Sequence, residues 1–456
     1  MKKAAATAAV LTTLLASRAA PAQNADSFFF GDEAALASGA VVASGSDSGA
    51  LWYNPAGYGG LKRGLISASA STFGLRFRTI PRALRVRFGG QEHAVDLSST
   101  DVISVPNAVV LATQIGDRYA VAAGLLQTAR DLRAASGASP DAAGIVDGRP
   151  ALVTQRIDIQ KDEAEYHVGG AFAAKLDEKL KVGAGLFAVY AKSNINASYA
   201  LGVRSNAVPP TDEVAFITQD ARVTRSSIAL GISLGAQYAV TPQINLGVTI
   251  RSPEIALTSS ADGAATQGIA SVGGADPAVA NLSTELPPKD SAAGKLVRPT
   301  RILLGAAYLV APRSWLEVGV DFAHGLPRSE VRDAQQPQVN ARIGLRYMLT
   351  PEWILGGGLF SDRGTTARLP DFITSDRVDY YGLTAGVSKR TPLALVKDPK
   401  PEALVLVTTF SLRSSIGFGE ARAATIDLDN LTAPRDDRSD VTYFEIMPYL
   451  GSTVDF

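Results

Sequence analysis

Residues 228–250 read IALGISLGAQYAVTPQINLGVTI, and they contain two runs in which apolar side chains occupy every second position. Between the runs lies a short polar turn, Thr241-Pro242-Gln243. Successive side chains of a β-strand point to opposite faces, so this alternation predicts two strands, each with one apolar face, joined as a hairpin. Similar runs continue from about residue 64 to the C-terminus, with clear examples at 316–322, 343–347 and 381–387.

The length of these runs indicates what the apolar face contacts. Strands of soluble sandwiches are typically about 5–6 residues long, whereas several runs here reach about 10 residues, the length that crosses a bilayer at a tilt. A sheet in hydrocarbon must close, because each unpaired backbone group there costs several kcal/mol. The sequence therefore predicts an all-β protein, a transmembrane antiparallel β-barrel. A soluble β-protein is the alternative fold.

The opposite face of the strands is rich in Gly and Ser and carries scattered charges, including Glu317, Asp321, Arg342 and Arg346. A basic residue that faces lipid costs up to ~4 kcal/mol, and an acidic residue costs less. We therefore expect these four side chains to point into the barrel.

Short and long connections alternate along the chain. The short ones are Gly116-Asp117, Asp177-Glu178-Lys179, Thr241-Pro242-Gln243, Pro312-Arg313-Ser314 and Thr350-Pro351-Glu352. Long polar segments, which we expect to be loops, lie between them at 79–106, 130–163, 193–221, 258–298, 325–337, 364–376 and 418–439. This rhythm is typical of outer-membrane barrels and gives about fourteen strands. Aromatic residues beside the short turns predict an interfacial girdle: Tyr119, Tyr238, Tyr308, Trp315, Tyr347 and Trp353.

Both ends of the chain predict export to the bacterial outer membrane. Lys2 and Lys3 precede an apolar stretch at 4–16, and Ala20-Pro21-Ala22 is a cleavage site, so residues 1–22 are interpreted as a signal peptide. The last strand ends in Phe456, which resembles the signal by which outer-membrane barrels are handed to their assembly machinery. We expect that machinery as a partner during biogenesis, and outer-membrane lipid around the mature monomer.

The composition argues against several other functions. The formal net charge is zero, which disfavours a nucleic-acid binder. The chain has no cysteine, and its three histidines, His93, His167 and His324, lie far apart and in no recognisable catalytic motif. We therefore expect no metal, no cofactor and no enzymatic activity.

Residues 23–63 follow no strand rhythm and form a separate segment before the barrel at 64–456. The segment contains Gly39-Ala40-Val41-Val42-Ala43, then Asp47, then Tyr53-Asn54-Pro55-Ala56-Gly57. In these residues the chain resembles the FadL family of outer-membrane transporters for long-chain fatty acids and other hydrophobic compounds. The resemblance implies fourteen strands and an N-terminal hatch that plugs the lumen.

The resemblance also implies a function: capture of a hydrophobic ligand at the extracellular loops, binding in a lumen pocket, and sideways release into the bilayer. Such a ligand needs a continuous apolar route, since each CH₂ moved into water costs roughly 0.8 kcal/mol. Which strand would form the opening is not evident from the sequence. A structural or secretion-linked barrel of the same superfamily, which transports nothing, is the alternative function.

Two groups of hatch residues are candidates for the functional site. Asn54, Pro55 and Ala56 form a turn, because Pro55 fixes its own φ and an Asn side chain can bond to nearby backbone. The aromatic residues of the hatch would be costly in water, so we expect them to be buried. By the resemblance, Phe28, Phe29 and Phe30 are candidates for lining or gating a ligand pocket, and anchoring of the hatch to the wall is the alternative role. Trp52 and Tyr53 are further candidates for the pocket.

Overall fold

The computed structural model describes residues 24, 28–88, 90–146, 149–205, 214–272, 278–286, 296–326, 335–367, 369, 375–393, 404–427 and 432–456. The predicted signal peptide lies outside these residues. None of the helices in the described ranges is long and apolar enough to span a membrane.

The described chain has three short N-terminal helical elements followed by strands. The helical elements are α1 (Asp32–Leu36), α2 (Ala50–Tyr53) and a 3-10 helix (Pro55–Gly60). The strands are β1 (Leu65–Phe88), β2 (Gln91–Ile115), β3 (Tyr119–Val146), β4 (Arg149–Lys175), β5 (Leu180–Ser205), β6 (Val214–Ala239), β7 (Ile244–Arg251), β8 (Glu254–Val272), β9 (Ala278–Leu286), β10 (Leu296–Arg298), β11 (Arg301–Ala311), β12 (Ser314–Ala323), β13 (Gln338–Met348), β14 (Trp353–Asp362), β15 (Asp376–Leu393), β16 (Leu404–Asp427) and β17 (Thr432–Asp455).

Backbone pairing closes the sheet into an antiparallel barrel. Strands β1 to β7 pair in order, β7 pairs with β11, and β11 to β17 continue until β17 pairs with β1. Among the described residues the ring therefore holds seven strands from β1–β7 and seven from β11–β17, in agreement with the predicted number of about fourteen. Strands β8 to β10 add to its upper rim. The predicted barrel is confirmed.

The inward and outward directions of the strand side chains agree with the alternation in the sequence. Glu317 and Asp321 are buried in the lumen, whereas the neighbouring Val318 and Val320 are exposed on the outer wall. Arg342 and Arg346 are also buried. Of the expected girdle, Tyr119, Tyr238, Tyr308, Tyr347 and Trp353 are exposed beside the short turns, and Trp315 is half-buried. The outer wall thus carries an apolar band of the kind that contacts acyl chains.

Most of the predicted long loops are wrong, because the strands continue through them. β1 and β2 extend to Phe88 and Gln91, and β3 and β4 extend to Val146 and Arg149. The hairpins β5–β6 and β16–β17 are similarly long, and the shorter hairpin β8–β9 occupies much of the predicted loop at 258–298. Above the bilayer, outward side chains can be polar without cost since water hydrates them, so polar composition there does not mark a loop. Of the described residues in 325–337 and 364–375, only isolated bridges are paired, and Asp376 begins β15.

The interior contains two apolar clusters at different heights. The hatch core lies between the hatch and the lower wall and includes Phe28, Phe29, Phe30, Leu51, Trp52, Tyr53, Ile103, Phe187 and Phe360. The cap core lies within the tall hairpins above the bilayer and includes Ile80, Leu84, Val86, Val95, Leu97, Ile157, Tyr199, Val378, Val441 and Tyr443.

Replacing Val318 with Arg tests the outward band. Val318 lies between the lumen residues Glu317 and Gly319 on a strand of ten residues, so the new charge would face lipid. We expect a loss of ~2–4 kcal/mol in the free energy of unfolding, measured by guanidinium titration in lipid vesicles. Thr266→Arg, at an exposed site on the tall hairpins, should change it little. Equal losses in both variants would contradict the assigned lipid face.

Candidate functional site in the barrel lumen

The inner wall is shaped to receive the hatch. A Cβ added at Gly235 would overlap Asn54 Oδ1, and one added at Gly247 would overlap the carbonyl oxygen of Val42. Glycine lets two backbones approach this closely because it has no side chain. Other wall glycines that contact the hatch in the same way are Gly183, Gly305, Gly344, Gly356 and Gly451. The hatch therefore lies directly on the wall over much of its length.

The Asn54 turn bonds the hatch both to itself and to the wall. Asn54 Oδ1 accepts a hydrogen bond from Ala56 N at 3.1 Å, and Nδ2 donates to Val42 O at 2.8 Å and to Ala236 O of β6 at 3.0 Å. Pro55 occupies the first position of the 3-10 helix, where its missing N–H is not needed. Asn54, Pro55 and Ala56 are all buried. The side chain thus holds the turn, the hatch segment around Val42 and the wall together.

Buried carboxylates provide a second set of attachments. Glu317 Oε1 accepts from Ala43 N at 2.6 Å, which joins β12 to the hatch. Thr453 Oγ1 of β17 donates to Asp32 Oδ2 at 2.8 Å. Within the hatch, Asp47 accepts from Glu33 N at 2.8 Å. Burial raises the pKa of Asp32 to about 6, and burial together with the charge of Glu33 raises the pKa of Asp47 well above its ordinary value.

The five aromatic candidates are buried as expected, and they pack into the hatch core. The rings of Phe30 and Trp52 lie edge to face with centroids 5.5 Å apart. Phe29 contacts Phe360 of the wall in the same geometry at 5.4 Å. Phe28 and Tyr53 are buried in the same cluster. In this state the aromatic side chains fill the space between hatch and wall, and the pocket role assigned to them stays a prediction.

Several wall residues of this cluster were missed in the sequence. His167 lies edge to face with Trp52 at 5.0 Å, and the Arg251 guanidinium lies 3.8 Å from the centroid of the Trp52 ring. Arg413 lies over Phe360 at 4.6 Å. Each occupies an inward position of its strand, which the alternation identifies. The alternation does not reveal which inward residue reaches the hatch, because that depends on the height at which the hatch crosses the lumen.

The wall has a gap between β2 and β3. The two strands pair at Ser98↔Ser136 and again from Ala108↔Leu126 to the turn, but no backbone pair joins 99–107 to 127–135, although both stretches are fully described. The register is the same on both sides, so the strands part without an inserted residue. Asp101 Oδ1 accepts from Ala134 N at 3.0 Å and satisfies one of the freed donors.

Comparison with known proteins agrees with this architecture. The profile of the family described as outer membrane protein transport protein (OMPP1/FadL/TodX) matches residues 9–367. The chain belongs to this family. The resemblance noted in the hatch residues is thus confirmed, and so is the bacterial outer membrane as the location of this FadL-family barrel. The family is one of transporters for hydrophobic compounds.

Solved structures with a similar fold have low sequence identity to the chain. They include a FadL homologue from Pseudomonas aeruginosa (13% identity, TM-score 0.59, covering 95% of this chain and 100% of that one). The toluene transporter TodX from P. putida has 16% identity and a TM-score of 0.55, covering 94% and 98%. The toluene transporter TbuX from Ralstonia pickettii has 16% identity and a TM-score of 0.51, covering 94% and 98%. At these identities the likeness shows the fold alone. No curated protein matches the chain.

A layer of charged side chains separates the hatch core from the cap core in this FadL-family lumen. The layer, which we call the charged belt, comprises Arg76, Arg78, Asp131, Arg133, Lys161, Glu163, Asp376 and Glu445. Arg78 lies 2.7 Å from Asp131, and Arg133 lies 2.6 Å from Asp376. A cavity of about 50 Å³ lies within the charged belt. Its lining includes Arg130, Asp131 and Arg133, which belong to the unpaired stretch 127–135 of β3. The expected continuous apolar route is therefore interrupted by ion pairs.

The expectation that the chain holds no metal and no cofactor can be compared with the arrangement of its acidic and histidine side chains. Within the described ranges, no group of three or more His, Asp or Glu residues is arranged to hold a metal ion. The belt carboxylates instead lie against Arg and Lys.

Replacing Asn54 with Ala tests the hatch attachment. The change removes the bonds to Val42, Ala56 and Ala236 and should cost ~1–3 kcal/mol, because buried groups lose their partners. Guanidinium unfolding in detergent measures the loss. Asn196→Ala, at an exposed site on β5, is the matched control. The same midpoint for both variants would exclude an anchoring role for Asn54.

The raised pKa of Asp32 predicts a pH dependence. The folded-state pKa of about 6 exceeds the ordinary value of 3.8, so the stabilising contribution is complete below about pH 4 and is lost as the pH rises through 6. At pH 7 Asp32→Asn should therefore be more stable than the natural protein, by up to ~3 kcal/mol. Unfolding titrations at several pH values measure the difference. A difference that does not grow between about pH 4 and 7 would refute this assignment.

Proposed function

We propose that this chain lets hydrophobic small molecules, such as long-chain fatty acids or alkylbenzenes, cross the outer membrane passively and leave the lumen sideways through the gap between β2 and β3. The observation that carries the proposal is the interruption of backbone pairing at 99–107 and 127–135. The gap begins at Asn107 and Gln127, beside the apolar band that contains Val109 and Leu125, so a molecule in it would meet acyl chains.

The hatch determines which solutes can use this route, because it fills the lumen. Because the hatch core and the charged belt fill the lumen between the two ends, a wide water-filled channel is absent from the described part of the barrel. Passage requires local displacement of aromatic side chains, which favour contact with apolar ligands. We propose Phe28, Phe29, Phe30, Trp52 and Tyr53 as the side chains that an entering ligand contacts, and the Asn54-Pro55-Ala56 turn as the part that holds the hatch in place.

No catalytic step is part of this proposal. A concentration gradient is the only driving force it needs, and the chain acts as a monomer with no cofactor. Outer-membrane lipid receives the ligand.

Bridging the gap tests the exit route. Since β2 and β3 have the same register on both sides of the gap, Val102 and Leu132 are the residues that a continued ladder would pair, so a Val102→Cys/Leu132→Cys variant is designed to be joined by a short bifunctional thiol reagent. We expect cells in which β2 and β3 of this variant have been joined to take up labelled oleic acid or ethylbenzene at the same rate as cells that lack the protein. A joined Leu111→Cys/Ala123→Cys variant, which spans strands already paired, should transport normally.

Two outcomes would count against the proposal. Full uptake through the joined gap would exclude this exit. Equal uptake of both compounds by cells with and without the natural protein would favour a structural or secretion-linked barrel.

A further inference from the structure

The outer wall carries a polar face above the bilayer on strands β4, β5, β6 and β8. The rings of Tyr166 and Tyr190 stack with centroids 6.4 Å apart at its lower limit. Tyr190 pairs with Ile228 of β6, which lies ten residues before the girdle residue Tyr238. Since about 9–11 residues cross a bilayer at a tilt, the tyrosine pair marks the upper boundary of the hydrocarbon. Outward residues beyond Tyr190 therefore lie at the height of the headgroups and above.

A groove of about 340 Å³ lies on this face, within the range of small-molecule sites, about 300–1,000 Å³. Its polar side chains form two adjacent rows across β4, β5 and β6: Gln160, Asn196 and Arg222 in one row, and Asp158, Ser198 and Asp220 in the next. The intervening residues Ala197 and Ala221 belong to the cap core, so both rows face outward. Ala264 of β8 lies opposite Arg222, and its short side chain leaves room beside the guanidinium.

A lysine lies between the groove and the bilayer. Lys192 is exposed two residues above Tyr190 on the outward face of β5. Its neighbours across the strands are the small residues Ala164 and Ser226, and it forms no ion pair within the described ranges. Basic residues beside a membrane surface are attracted to anionic headgroups. The free ammonium is therefore suited to a lipid phosphate.

Charges inside the groove also lack partners. Arg222 and Asp220 are exposed two residues apart on the same face of β6, yet neither forms an ion pair in the part of the chain that the structure describes. On the opposite wall such charges are paired, since Glu420 lies 2.9 Å from Arg377 and 2.8 Å from Arg438. The groove thus keeps a charged donor and a charged acceptor available to a ligand.

The mixture of groups indicates the class of that ligand. Amides donate and accept, carboxylates accept and a guanidinium donates, so together they match the hydroxyl groups of sugars, which do both. Neighbouring strands are about 4.8 Å apart, a spacing close to the width of one sugar ring. The two carboxylates of the groove argue against a site for an anion alone. Its only apolar side chains are those of alanine, which argues against a hydrocarbon.

The height of the groove indicates where the sugar comes from. Asn196 lies six residues above Tyr190, roughly 20 Å along the strand and roughly 14 Å above the hydrocarbon at a tilt of about 45°. Lipopolysaccharide, the glycolipid of the outer leaflet, has acyl chains on a phosphorylated disaccharide that carries further core sugars. With its acyl chains on the apolar band, its phosphates reach Lys192 and its core sugars reach the groove.

We propose that the outward face of β4, β5, β6 and β8 is a binding site for one lipopolysaccharide molecule. Lys192 contacts a phosphate, and the groove at Asn196, Asp220 and Arg222 contacts core sugars. This site does not depend on the proposed transport, because it lies on the outside of the wall. It places a defined lipid beside the tall hairpins whose inner face forms the cap core.

Binding of two glycolipids by the protein purified in detergent tests the site: lipopolysaccharide with core sugars, and lipid A, which lacks them. We expect the natural protein to bind the core-bearing form roughly tenfold or more tightly, since charged groups of the groove gain hydrogen bonds. Native mass spectrometry over a series of glycolipid concentrations measures both affinities. Asp220→Ala/Arg222→Ala should remove the preference, and Lys192→Ala should weaken binding of both forms. Arg438→Ala, which removes an exposed arginine from the opposite wall, should change neither.

A second variant tests the groove without removing a charge. Ala264→Trp should fill the space beside Arg222 and also remove the preference for core sugars, while heat-modifiable migration in gels shows that each variant is folded. Equal binding of the two glycolipids by the natural protein would reject the groove as a sugar site. Phosphatidylglycerol bound as tightly as lipid A would reject recognition at Lys192. Free core oligosaccharide bound as tightly as the intact glycolipid would reject the lipid as the occupant.

Discussion

Backbone hydrogen bonding in hydrocarbon is the constraint on which the rest of this structure depends. No water is available there to satisfy free N–H and C=O groups, so the strands must close into a ring. The gap between β2 and β3 is a local departure from that rule, and its position explains how it is tolerated. Asp101 supplies an acceptor to a freed donor, and Arg76 donates to the carbonyl oxygen of Arg130 at 2.7 Å. Polar side chains of the lumen thus replace part of the missing ladder.

The lumen is built in layers with different chemistry. The hatch core at the bottom is aromatic and lies against wall glycines, the charged belt above it is held by ion pairs, and the cap core at the top is apolar again. Buried ion pairs contribute little net stability, since desolvation offsets their attraction. The belt therefore separates two apolar compartments, and part of it lies beside the wall gap.

Alternation along the strands was sufficient to predict the barrel and the inward direction of residues such as Glu317, and the rhythm of short and long connections predicted the strand number. The Asn54 turn was predictable too, because its hydrogen bond to Ala56 is local. The extended hairpins were not, since hydrated strands and loops share the same polar composition. The contact of His167 with Trp52 depends on the path of the hatch, and the pairing of β1 with β16 depends on where β15 ends. Neither of these long-range contacts can be predicted from the alternation of apolar and polar residues within a single strand.

The unchanged register across the gap has a mechanical consequence. A β-bulge holds two strands apart permanently, because an extra residue has no partner. In this gap, each position of 99–107 has a partner position in 127–135. The edges of the two strands are therefore complementary along the whole unpaired stretch. On the proposed route, the two strands can therefore pair again after a ligand has left without any sliding of one strand past its neighbour.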